Sequence, residues 1–96
     1  MSKEKLKISN IFYLNLKSPI IVEKTERKKK SKNKFQIYYR DLNIWAQGPT
    51  FEDCLKNFQE QLYLYYKIST AREDNELAKN DRKIKNKFLN LIKIES

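Results

Sequence analysis

Two short runs, FQIYYR (Phe35 to Arg40) and LNIWAQ (Leu42 to Gln47), stand almost end to end in this chain, and each alternates between two kinds of residue. Because successive strand side chains point to opposite faces, Phe35, Ile37 and Tyr39 share one side and Gln36, Tyr38 and Arg40 the other. In the second run Leu42, Ile44 and Ala46 oppose Asn43, Trp45 and Gln47. With only the Arg40-Asp41 connection between them, the runs predict an antiparallel hairpin. Its apolar face needs a cover, and its second face displays Tyr38, Arg40 and Trp45.

The cover follows directly in the chain. Thr50 is a good helix N-cap, and Asp53 three residues on completes a capping-box-like arrangement at the positive helix end. Phe51, Leu55, Phe58, Leu62 and Tyr65 then recur at spacings of four and three, with Cys54 beside them, while Glu52, Asp53, Lys56, Gln59 and Glu60 fall elsewhere. The spacing predicts a helix from Phe51 to Ile68. Between hairpin and helix stands Gly48, the only glycine of the chain. A phosphate cradle needs several glycines, and the P-loop a following lysine, neither of which QGPT offers. Gly48 therefore reads as a conformational glycine, free to adopt positive φ where strand becomes helix.

Upstream, IFYLNLKSPIIVEKTE (Ile11 to Glu26) reads as extended, with Phe12, Leu14 and Leu16 alternating against Ile11, Tyr13 and Asn15, and with a break at Pro19, which cannot donate to a ladder. Residues 27–34, RKKKSKNK, form a connecting basic loop. Downstream, residues 69–76 are a polar connection, and a second helix spans roughly 78–93 with Ile84, Phe88 and Leu91 inward and Leu77 packing just before it. The expectation is one α+β domain over residues 1–96. Strands lie within 11–48 as a three-stranded antiparallel sheet with room for a further N-terminal strand. One long helix covers one face, a C-terminal helix follows, and the basic ends fray. So small a domain is marginally stable alone, which makes a homodimer or a bound partner a reasonable expectation.

The residue inventory removes most enzyme chemistry. The chain has no histidine, so Ser-His-Asp and Cys-His systems and the commonest metal ligand are excluded. Cys54 is the only cysteine, which rules out an intrachain disulfide, fits a reducing cytoplasmic home, and on the helix's apolar side reads as an inert thiol. Glu52-Asp53 is explained by helix capping, and Glu73-Asp74-Glu76 by a solvated loop. No catalytic residue, metal site or cofactor is expected, and no apolar run approaches the length of a membrane span.

Charge points outward to partners. The net charge of +9 is uneven: residues 1–34 hold eleven Lys/Arg against three acids, residues 35–78 four against seven, and residues 79–96 six against two. Such a field attracts polyanions or acidic protein surfaces. Seventeen Lys, nine Asn and ten Ile equally fit an AT-rich coding bias. The candidate binding residues are Arg27, Lys28, Lys29, Lys30, Lys32 and Lys34 of the loop, with Tyr38, Arg40 and Trp45 beside them. Aromatic rings interleaved with cations on a sheet are how single-strand-binding sheets hold bases. The alternatives are a solvated loop tip, and a second packing surface covered by an N-terminal strand, the last helix or a dimer mate.

The stretch Tyr38 to Tyr66 also resembles the core motif of HicB-like antitoxin domains. The resemblance is carried by Asp41-Leu42, Gln47-Gly48-Pro49-Thr50, Glu52-Asp53-Cys54, Asn57, Glu60 and Leu64-Tyr65, with a looser likeness from Leu77 through Ile92. It implies a dsRBD-like or half-RNase-H-like fold of three antiparallel strands with the helix on one side, a dimer, and a protein partner: a small toxin ribonuclease of the HicA type or a nucleoprotein complex. Many members carry a further DNA-binding domain, for which 96 residues leave no room. Asn43-Ile44-Trp45 stands where Pro-Gly-Cys is common. The basic charge is the wrong sign for gripping a basic toxin, since like charges across an interface slow encounter and cost energy. Two other functions therefore stay open beside the antitoxin type: a small basic nucleic-acid-binding module, and a phage or mobile-element inhibitor of a nucleic-acid-targeting complex.

Overall fold

Four strands form one antiparallel sheet in the order of the chain: β1 (Ser2–Ile8), β2 (Ile20–Glu26), β3 (Phe35–Tyr39) and β4 (Ile44–Gly48). The computed structural model describes residues 2–11, 14–27 and 34–93. Helix α1 (Phe51–Thr70) lies over one face, chiefly against β4 and β3, and helix α2 (Lys79–Leu91) packs on α1. The fold is thus α+β, with the fourth strand at the N-terminal edge.

That strand corrects the expectation of a frayed basic end. SKEKLKI alternates Lys3, Lys5 and Lys7 with Glu4, Leu6 and Ile8, and it pairs with β2 along its full length, Leu6 against Val22 and Ile8 against Ile20. Only the last two alternate positions are apolar, so the strand is held by its ladder and by the Leu6 and Ile8 side chains. Of the segment expected to be extended, the part after Pro19 forms β2, whereas the part before it is used otherwise. Ile11 is buried, Leu14 and Leu16 are half-buried, and among the described residues its bridges are isolated ones, Ile11 with Leu14 and Leu16 with Ile92. Lys17 donates its N–H to the Leu91 carbonyl at 2.9 Å, and Lys93 donates to that of Asn15. The segment therefore fastens the end of α2. Phe12 and Tyr13 lie outside the described residues. Pro19 sits immediately before β2, where its missing N–H removes no ladder bond.

The hairpin has the expected faces but a longer turn. Residues 40–42 form a 3₁₀ turn and Asn43 takes a left-handed conformation with φ 53°, so β4 begins at Ile44 and Tyr39 pairs with it. Asn is among the residues that tolerate this conformation, and here its N–H is bonded to the Arg40 carbonyl.

The core lies between sheet and helices. Val22, Ile37, Cys54, Phe58, Leu62 and Phe88 are almost wholly enclosed. Thr50 caps α1 by accepting the Asp53 N–H at 3.1 Å, and the helix runs two residues past the expected end. Its buried stripe differs from the expected one at two points. Gln59 is buried, and Tyr65 is 48% exposed while Tyr66 packs edge-to-face on Phe88. The cause is length: twenty helical residues span about 30 Å, whereas five-residue strands reach about 17 Å. The last turns of α1 overhang the sheet, and α2 covers one side of them only.

Gly48 also departs from its expected role, because its φ is not positive. What it provides is room. A Cβ at this position would stand 2.5 Å from the Cys54 backbone nitrogen and 2.9 Å from its Cα. The first turn of α1 rests directly on the end of β4, and both obstructing atoms are backbone. Gly48→Ala should therefore destabilise the fold by about 1–3 kcal/mol through overpacking, read as a lowered midpoint in urea with an unchanged slope. A change below about 0.5 kcal/mol would show that the helix can lift off the strand at no real cost.

Candidate binding face of the sheet

The face turned away from α1 carries the side chains that the alternation sends outward. In the pairing register Lys5, Glu23, Tyr38 and Trp45 form one row across all four strands, and Lys3, Thr25, Gln36 and Gln47 the next. Neither β1 nor α2 covers the aromatic pair: β1 lies in the plane of the sheet at its far edge, and α2 is on the opposite side. Trp45 is 54% exposed. The Tyr38 and Trp45 rings lie 5.9 Å apart at a tilt of 46°. The Tyr38 hydroxyl donates to the Asn43 side chain at 3.0 Å, which steadies both the ring and the left-handed turn.

Polar groups surround the rings. Arg40 donates through Nη2 to Glu23 at 2.9 Å, and Lys3 reaches the other carboxylate oxygen at 3.2 Å. Arg27 and Gln47 both donate to the Gln36 side-chain oxygen, at 3.1 and 3.2 Å. Lys3, Glu23, Thr25, Arg27, Gln36, Tyr38 and Arg40 line an open concavity of about 610 Å³. The face carries Lys3, Lys5, Lys7, Arg27 and Arg40 against the single carboxylate Glu23 among the described residues. Exposed ion pairs such as these contribute little to stability, typically ~1 kcal/mol or less, so their significance is the potential they leave at the surface.

The structure thus gathers Arg27, Tyr38, Arg40 and Trp45 on one surface. Lys34 is elsewhere: it pairs with Glu26 at 3.5 Å and lies over the Phe35 ring, whose strand parity belongs to the helix-covered face. Lys28, Lys29, Lys30 and Lys32 lie outside the described residues. Sequence reasoning missed Lys3, Lys5, Lys7 and Glu23. Strict alternation in KEKLKI was the available signal, masked by a strand with only two apolar side chains.

Other features hold the framework. Asn57 donates to the Gln47 carbonyl at 2.9 Å and ties α1 to β4. Lys87 donates to the Asp41 carbonyl and Lys85 to that of Arg72, which commits part of the lysine-rich α2 to bracing loops. Among the described residues no three carboxylate or thiol groups gather as a metal site, and no helix is long and apolar enough to cross a membrane. Leu64, Tyr65 and Ile68 form an exposed apolar strip on the overhanging turns of α1.

Comparison with protein-family models, curated proteins and solved structures finds no match to this chain.

Cys54 is fully enclosed, its sulfur donates to the Ala46 carbonyl, and burial pushes its pKa up from the ordinary value of 9.0. In the native protein it should resist a water-soluble disulfide reagent even at pH 9, reacting no faster than the chain unfolds, whereas in 6 M guanidinium modification should be complete within the mixing time. Rapid stoichiometric modification of the folded protein would place the thiol at the surface instead.

Proposed function

We propose that this protein is a non-enzymatic binding protein that acts by stoichiometric association through the open face of its sheet, and that the partner of that face is single-stranded nucleic acid. The observation that carries the reading is the exposed Trp45 ring beside the half-buried Tyr38 ring, set among five cations and one carboxylate of the described residues. Bases stack on exposed rings, contributing ~1–3 kcal/mol each, while the cations attract the phosphates. A sheet lets the strand lie flat, and the lysine-rich sequence at 28–33 follows the same charge preference. A cytoplasmic home belongs to this reading.

A second reading, HicB-like association of the antitoxin type with a protein partner or a second copy, is favoured by Leu64, Tyr65 and Ile68, which leave apolar surface uncovered on α1. It uses the other side of the molecule, so the two readings separate experimentally. A phage-type inhibitor of a nucleic-acid-targeting complex would draw on either surface.

Trp45 is the only tryptophan, which makes its fluorescence a direct report on the face. Titration with a short single-stranded oligonucleotide should quench it, with log K falling against log salt by about 0.7 for each phosphate neutralised. Trp45→Ala, followed with a labelled oligonucleotide, should weaken binding about 5- to 150-fold without lowering stability, and Arg40→Gln should flatten the salt dependence. Binding that is indifferent to Trp45 would rule out the sheet face. Inhibition of a HicA-type ribonuclease at one-to-one stoichiometry, lost in Leu64→Lys and Ile68→Lys, would establish the second reading.

A further inference from the structure

Among the described residues, the one carboxylate of the open face is placed beside the aromatic pair. Glu23 on β2 is the direct cross-strand partner of Tyr38 on β3. Each of its oxygens has a cationic partner, one Lys3 at 3.2 Å and the other Arg40 at 2.9 Å. It is 20% exposed, against 59% for the Lys3 side chain and 74% for that of Arg40. The Glu23 side chain is therefore more enclosed than its two cationic partners, and it lines the same concavity as Tyr38.

A base laid on the Tyr38 ring extends over the neighbouring strand, since directly opposed residues stand only about 5 Å apart. There its rim meets Glu23. An ionised carboxylate only accepts hydrogen bonds, and each oxygen keeps a lone pair beyond the one its cation takes. Guanine alone among the common bases presents two adjacent donors on its Watson–Crick edge, the ring N–H and the exocyclic amino group, and these match two carboxylate oxygens side by side. Uracil offers one donor between two carbonyls that a carboxylate repels. Phosphate offers none at all, and Glu23 opposes it.

We propose that Glu23 is the specificity-determining residue of this face and that it selects guanine within a single strand. The proposal rests on the nucleic-acid reading above and adds to it the base that occupies the Tyr38 platform. Lys3 and Arg40 then have two roles: they hold the carboxylate in place and flank the phosphates of the stacked nucleotide.

The test compares three probes: a short all-uridine RNA, the same RNA with one central guanosine, and inorganic polyphosphate. Wild-type protein should bind the guanosine-containing RNA about tenfold more tightly than the all-uridine one. Glu23→Gln, which offers one acceptor and no charge, should bind the two RNAs nearly alike and should bind polyphosphate more tightly than wild type does. Glu23→Thr, neutral and favourable in a strand, should show the same pattern and serves if Glu23→Gln does not fold. Equal binding of both RNAs by wild type, with Trp45 quenched, overturns guanine selection and leaves the function reading standing. Retention of the guanosine preference in Glu23→Gln and Glu23→Thr overturns the role of Glu23. Absence of any RNA binding, with Trp45 fluorescence unmoved, overturns both.

Discussion

The contact between Gly48 and the backbone of Cys54 sets the geometry on which the rest depends. Because β4 ends in a residue without a Cβ, the first turn of α1 rests on the strand itself, not on a side chain. From that seat the Thr50 cap, the bond from Asn57 to the Gln47 carbonyl and the enclosure of Cys54 follow, each needing the helix at this height above the sheet. The apolar face is then closed by α1 and the end of α2, and the opposite face is left with the residues that alternation sends there.

Much of this was legible in the sequence, for reasons that can be named. The hairpin faces and the start of α1 depend on local patterns, alternation in FQIYYR and LNIWAQ and a cap at Thr50, and local patterns survive folding. The far end of α1 was misread at Tyr65 because its exposure depends on how far a strand of other residues extends, which no helical period records. Gly48 was placed correctly as a necessary glycine but for the wrong reason. A sequence shows that a glycine is present and not whether the chain needs its φ or its missing side chain.

The N-terminal quarter was the least legible part, and the cause is again physical. SKEKLKI forms a strand with two apolar side chains because the adjoining β2 supplies a complete ladder, whereas Asn15, Leu16 and Lys17, from a more apolar stretch, fasten the end of α2. Tertiary context decided both outcomes. The candidate face shows the same division. Tyr38, Arg40 and Trp45 were readable from the hairpin alone, while Glu23 and the β1 lysines became part of the surface only once the strand order was known.

The two margins of the sheet also shape what the molecule can join. On one edge, the Gln47 carbonyl of β4 is already taken by Asn57; on the other, β1 bears a lysine at every second position. Edges blunted in this way discourage a further strand from zipping on. Growth into fibrils and capture of extended peptides are both disfavoured, and encounters are directed to the broad surfaces, where contacts form and dissolve without rebuilding the backbone ladder.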